Sequence, residues 1–412
     1  MNKRLLILLF PALLSAYNLH ELIELAQQKN DIVLSKKYNE NAQEKALKSK
    51  KSEYFPTVDL GGFYKRDDEA SPFQAGDTYS AYAKVTLDIY DGGRRSSQVD
   101  EKREALKSST FDTTAFKKSL ALSITKTFFS IKTLQASLNA REEAQKSLKA
   151  QLQRIKQFYD AKMATLDDVE RVQSDFDTNL YNIQTIEFQI LSLKSLLELK
   201  VGKKIQHYDA SSFIKNDVQD YLLLDDIKAA TAKKRSIIYS ANAVDSYYYP
   251  NLRVEDKYSF YSYDRLDPLA QQFANPLDKQ NVLLLTANIR LFDFGRLAKT
   301  KETIELQAQA LQSQISYQTK EQKMQYELAL ARIATTKLKI KSSKSALNAA
   351  TSAFKTIEKK YNAGIVDYIV YLDALTKRTS SKALYESSLN DLEVAYAIYY
   401  YYSGKNILEE LK

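Results

Sequence analysis

Apolar residues recur every three or four positions over two long stretches of this chain. In the first they fall at Leu120, Ile124, Thr127, Ile131, Leu134, Leu138, Leu148, Leu152, Ile155 and Tyr159. A second run follows at Val169, Val172, Phe176, Leu180, Ile183, Ile190, Leu193 and Leu197. A period near 3.5 sustained this far predicts helices packed as coiled coils. Neither Gly nor Pro occurs between Arg94 and Val201 or between Arg296 and Ala363, so little interrupts them. The pattern predicts long helices over about 94–160, 165–201, 296–362 and 366–403, the first roughly 100 Å long at 1.5 Å per residue.

Two zones switch to a period of two. Tyr79, Ala81, Ala83, Val85, Leu87 and Ile89 alternate with Ser80, Tyr82, Lys84, Thr86, Asp88 and Tyr90. Leu283, Leu285, Ala287, Ile289 and Leu291 form a second apolar face, opposite Thr286, Asn288 and Arg290. With partners after Pro56 and Pro250, these predict strands over about 57–65, 79–90, 251–261 and 281–292. Strands of about ten residues, apolar on one face and polar on the other, suit a membrane barrel. Patterning alone favours the other reading, an antiparallel sheet resting on a soluble core.

The two halves match at a fixed offset of 202 residues. Ile89-Tyr-Asp-Gly-Gly-Arg94 corresponds to Leu291-Phe-Asp-Phe-Gly-Arg296, Tyr159–Met163 to Tyr361–Ile365, and Gly202 to Gly404. Residues 17–202 and 203–412 therefore read as two repeats of helix, strand pair and two long helices. Phe55-Pro56 and Tyr249-Pro250 are offset by 194, which makes the second interstrand loop longer. Leu19–Asp31 aligns with Leu224–Ser236 at 205, which would give the first repeat about three extra helical turns before its strand. Four strands cannot close a membrane barrel, and open edges are not tolerated in hydrocarbon, so membranous strands require oligomers. A cyclic trimer gives twelve strands with approximate six-fold symmetry.

Composition narrows the chemistry. The 412 residues include nine Gly and six Pro, where average usage gives about 29 and about 20. There is no Cys and only His20 and His207, which leaves no thiol chemistry and almost no scope for a histidine metal site or triad. No cofactor and no catalysis are expected. Lys3 and Arg4 precede an apolar run from Leu5 to Leu14 and small residues at Ser15 and Ala16, so residues 1–16 read as a signal peptide. The net charge of +9 is spread along helix faces among acidic residues, and export removes nucleic acid as a partner.

The doubled architecture, Leu87-Asp-Ile-Tyr-Asp-Gly-Gly-Arg-Arg95 and Tyr361-Asn-Ala-Gly-Ile-Val-Asp-Tyr-Ile-Val-Tyr-Leu-Asp-Ala374 together resemble the TolC-type outer-membrane efflux proteins. Leu19–Asn30 and the closing Tyr-Ser-Gly404 also resemble that family. The resemblance implies a mainly helical fold: a long coiled-coil helical barrel continued by a homotrimeric 12-stranded β-barrel, four strands per chain. It implies a channel-tunnel in outer-membrane lipid that extends into the periplasm. Its partners would be a periplasmic adaptor and an inner-membrane pump, or an ABC exporter of type I secretion. Adaptor docking is implied at two tips, Lys162, Met163, Ala164 and Thr165, and Gly364, Ile365 and Val366. By that resemblance Asp373 falls where the family places a carboxylate lining the periplasmic constriction, with Val370 at the companion carboxylate position. Asp168 and Tyr361 occupy positions that in that family help latch neighbouring helices, with Val366 in place of the latch arginine. Lys162 stands opposite Gly364, and there the two-fold repeat is expected to break. The competing reading is an exported coiled-coil rod that crosses no membrane.

Overall fold

A computed structural model describes residues 17–71, 73–205, 209, 211–215, 221–269 and 277–412. Residues 1–16, read above as a signal peptide, and His207 lie outside the described residues. The elements run α1 (Leu19–Lys29), α2 (Asp31–Ser52), β1 (Thr57–Arg66), β2 (Asp77–Asp91), α3 (Arg94–Asp160), α4 (Leu166–Val201) and α5 (Asp225–Asp245). They continue as β3 (Asn251–Asp264), β4 (Lys279–Asn288), α6 (Arg296–Asn362) and α7 (Tyr368–Tyr402). Among the described residues no helix is long and apolar enough to cross a membrane. The chain divides into two compact units.

One unit comprises the described residues of 17–37, 112–225 and 318–412. Its core joins Leu22, Ile23 and Ala26 of α1 to Ile124, Phe128 and Ile131 of α3, Leu197 of α4 and Tyr396, Tyr399 and Tyr400 of α7. Burial of each such large side chain contributes about 1.5–3 kcal/mol. α1 starts at a capping box in which Asn18 accepts from the Glu21 amide at 2.8 Å and Glu21 accepts from the Asn18 amide at 3.1 Å. It stops at Asn30, whose side chain accepts from the Ile32 amide and donates to the Lys200 carbonyl at 2.9 Å.

That break corrects the alignment of Leu19 with Leu224. Gly202 lies against the Lys29 backbone, and Gly404 lies against the Leu222 backbone. α2 is thus the counterpart of α5 at the offset of 194 that also relates Pro56 to Pro250. The additional segment of the first repeat is a separate helix, α1, and not three further turns of α2. The Tyr402 carbonyl, counterpart of the Lys200 carbonyl, accepts from Gln322 at 2.9 Å where the first repeat uses Asn30. The periodic apolar positions common to Leu19–Asp31 and Leu224–Ser236 reflect helicity alone.

The second unit, residues 38–111 and 226–317, carries one antiparallel sheet in the order β1-β2-β3-β4. Pairing puts Val58 opposite Val85, Leu87 opposite Val254 and Val254 opposite Leu285, so one face is mainly apolar, with Asp256 between Val85 and Leu283. That face is open: Val58, Leu60, Leu283 and Leu285 are all exposed. On the other face Arg253 donates to Asp88 at 2.6 Å, and Lys84 stands 3.9 Å from Glu255. β4 ends at Asn288 and not at Phe292, because its neighbour β3 begins at Asn251, the partner of Asn288. Beyond that point no described strand offers the ladder a partner.

The strand pair of each repeat hands over to a long helix through the same device. Asp91 accepts from the Arg95 amide at 3.0 Å, and Asp293 accepts from the Leu297 amide at 3.1 Å. Both preceding turns are left-handed, with Gly92 and Gly93 at φ 69° and 81°, and Phe294 and Gly295 at 55° and 81°. Phe294 therefore holds the conformation that its counterpart Gly92 adopts freely. Backbone geometry at this junction is common to both repeats although the side chains differ.

Candidate functional site

The two helix hairpins, α3–α4 and α6–α7, turn within the first unit. At the first turn the Lys162 amide donates to the Tyr159 carbonyl at 2.9 Å and the Met163 amide to the Phe158 carbonyl at 2.7 Å. At the second, the Gly364 amide donates to Tyr361 at 3.0 Å and the Ile365 amide to Lys360 at 2.9 Å. All four pairs are related by 202 residues, and Lys162 and Gly364 have φ of 62° and 68°. The expected break in the repeat at Lys162 is not present. Two carbonyls at each helix end need donors, and the left-handed residue turns its own amide and the following one back to them. Lys162 adopts that conformation at a steric cost that Gly364 does not carry.

Lys162→Gly is therefore expected to stabilise the first turn by about 0.5–1 kcal/mol after the greater freedom of unfolded glycine is subtracted. Hydrogen exchange at the Met163 amide should slow by about two- to fivefold. Faster exchange would contradict the strain argument.

The following helices start with matched caps. Thr165 accepts from the Asp168 amide at 3.3 Å, while Asp168 accepts from the Thr165 amide at 3.0 Å and hydroxyl at 2.7 Å. These bonds, the backbone one first, hold the Asp168 carboxyl below the usual carboxylate range. Asp367, 202 residues after Thr165, accepts from the Val370 amide at 3.0 Å. Around these caps Met163, Leu166, Ile365 and Ile369 are all more than half exposed. Lys162, Thr165 and Gly364 are exposed, and Ala164 and Val366 are half-buried. Both turns therefore offer apolar side chains to solvent.

Tyr361 stacks on Tyr371 with ring centroids 4.8 Å apart, and the Arg154 guanidinium lies 5.3 Å from its ring. Burial pushes the Tyr361 phenol up; Arg154 opposes this and the charge of Asp168 adds to it. Asp168 thus acts on Tyr361 through space, while its recorded hydrogen bonds go to Thr165. Asp373 is exposed on α7, with no hydrogen bond or ion pair among the described residues. The structure also brings in residues that sequence reasoning missed. Tyr368 donates to Asp175 at 3.2 Å across α7 and α4, and burial raises its phenol well above the ordinary tyrosine range. Tyr361 at the end of α6 and Tyr368 and Tyr371 at the start of α7 form a tyrosine cluster around the turn, the signal that could have drawn attention to Tyr368. Nothing in the sequence pairs it with Asp175.

The chain combines two capped helix hairpins with exposed apolar turns and a four-stranded antiparallel sheet with an open face. Residues 22–193 match the family model described as outer membrane efflux protein. The chain superposes on a membrane protein from Pseudomonas aeruginosa at TM-score 0.81 and 16% identity, covering 94% of this chain and 93% of that one. For the outer membrane protein VceC of Vibrio cholerae the values are 0.81, 14%, 94% and 96%. For the CmeC outer membrane channel of Campylobacter jejuni they are 0.83, 14%, 94% and 85%. Identities this low establish a shared fold. A search among curated proteins gave no significant match. The chain thus resembles outer membrane efflux proteins in sequence over residues 22–193 and shares the fold of outer-membrane channels over nearly its whole length.

Proposed function

We propose that three copies of this chain close a twelve-stranded barrel in the outer membrane and a helical tunnel below it. This conduit is the exit duct of a tripartite efflux pump or a type I secretion system. The observation that carries the reading is the sheet. Its apolar face is open, and β1 and β4 have no further strand partner among the described residues. Water penalises such a surface, whereas lipid on one face and a second copy at each edge satisfy it. A rod that never meets a membrane leaves Leu60, Leu283 and Leu285 in water, which counts against that alternative.

The exposed turns at Lys162–Thr165 and Gly364–Val366 are the proposed docking points for a periplasmic adaptor. The chain itself performs no chemistry; it opens when α7 and its neighbours shift on engagement of the adaptor and an inner-membrane pump or ABC exporter. Asp373, unpaired and exposed, is proposed to line the constriction, where three copies would attract cations. Asp168 and Tyr361 belong to the latch. Purified protein is expected to migrate as a heat-modifiable trimer and to conduct in planar bilayers. In the same bilayers Asp373→Asn should lower cation preference. Trimers that never conduct would rule out the channel, and an unchanged reversal potential would remove Asp373 from the pore.

A further inference from the structure

Within the first unit, α3, α6 and α7 border an open groove of about 740 Å³. Lys126 of α3 and Arg332 of α6 both line it, together with Ser130, Thr133, Thr336 and Asn390. Among the described residues neither cation meets a carboxylate. The acid on the wall, Asp391, is already taken by Lys339 at 2.7 Å. Two unpaired cations near one another repel, and burial followed by the Arg332 charge pushes the Lys126 ammonium below its ordinary value. The polar lining has capacity to spare. Thr133 accepts from the Asn390 amide at 3.1 Å and keeps its own proton for another acceptor. Ser130 is exposed, lines the groove and has no hydrogen-bond partner among the described residues.

The placement on α3 is specific. Ile124, Phe128 and Ile131 face the packed core, and Lys126, Ser130 and Thr133 lie on the opposite side of the helix. In a ring of helices, that open polar side is the one available to line water. The feature is also not a product of the duplication. At the offset of 202, Lys126 is replaced by Leu328, and Arg332 corresponds to Ser130. Each chain therefore has a single copy of the pair.

We propose that this groove is a station for multivalent oxyanions inside the conduit, held by Lys126 and Arg332 with hydroxyl donors from Ser130 and Thr133. It rests on the channel reading above and adds a substrate chemistry to it: solutes carrying several carboxylate or phosphate groups pause here. Two cations converging on one groove, repeated by three chains, concentrate anions locally where a partner charge is missing. The station is distinct from the turns, where Asp373 carries the opposite charge.

Planar-bilayer recording with citrate as the probe tests this. Citrate should reduce the current through the wild-type trimer. In the double variant Lys126→Gln, Arg332→Gln its half-blocking concentration should rise by about tenfold, and the potassium-to-chloride permeability ratio by at least about twofold. The charge-conserving variant Lys126→Arg, Arg332→Lys should keep the block, which separates lost charge from lost folding. Conductance that citrate does not touch, or a block unchanged in the Gln variant, overturns the station while leaving the channel intact. Trimers that show no conductance at all overturn both readings.

Discussion

Asp91→Ala is expected to destabilise the junction between sheet and helix by about 3–5 kcal/mol, the usual effect of stranding a buried charge. Arg95 is 5% exposed, and its Nε donates to Asp91 at 3.1 Å. Its remaining donors reach the Glu53 carbonyl at 2.9 Å and the Asp88 carbonyl at 2.7 Å, and its guanidinium sits 4.8 Å from the centre of the Tyr54 ring. One arginine thus ties the end of α2, the end of β2 and the start of α3. Removing the carboxylate deletes the helix cap and leaves the guanidinium buried against two carbonyls and the Tyr54 ring, with no anion beside it. Asp91→Asn keeps a cap acceptor and should fall between wild type and Asp91→Ala. Asp293→Ala should cost less, because Leu297 stands in the place of Arg95 and no buried charge depends on the acid. Denaturant unfolding of the detergent-solubilised protein, followed by circular dichroism, ranks the three. Equal losses for Asp91→Ala and Asp293→Ala would refute the role assigned to Arg95.

Gly404→Ala should cost about 3–5 kcal/mol, for a backbone reason. Gly404 has φ of +80°, and a Cβ there would lie 2.4 Å from the Leu222 carbonyl oxygen and 2.9 Å from its carbon. These are main-chain atoms, so relief requires moving the whole segment before α5. That segment is held by the Leu222 amide donating to the Ser403 carbonyl at 2.9 Å, and Lys118 donates to the Gly404 carbonyl at 2.9 Å. Gly364→Ala is the control: its φ is +68° but nothing lies within 4 Å, so only the conformational cost of about 1–2 kcal/mol applies. Thermal unfolding should separate the two glycines clearly. A Gly404→Ala variant as stable as Gly364→Ala would show that the segment before α5 yields easily.

Much of the fold was legible in the chain. Long Gly- and Pro-free stretches with a 3.5 period gave α3, α4, α6 and α7, because a helix repeats its contacts locally and records them at fixed spacing. The period-two zones gave four strands and the correct apolar face. The strand end at Asn288 was not legible, since alternation continues to Leu291 and only the position of the partner strand stops the ladder. The extent of α1 was hidden for a related reason. Two amphipathic helices look alike in periodicity, and what separates α1 from α2 is the contact of Asn30 with Lys200, 170 residues away.

At the candidate site the sequence supplied the turns, Asp168, Tyr361 and Asp373, partly through family resemblance. It did not supply the Tyr368–Asp175 contact or the Lys126–Arg332 groove, because each joins residues on helices far apart in the chain. Lys162 marks the limit of reading residue types. Opposite a glycine it suggested a broken repeat, yet both turns share one left-handed geometry. The composition determined a duplicated helical protein with four amphipathic strands, since periodicity and turn residues act over a few positions. Tertiary structure decided which helix ends meet, which face of the sheet stays open and which charges are left without partners. Those depend on contacts across hundreds of residues, where backbone hydrogen bonding and packing can impose a conformation that the local residue would not choose.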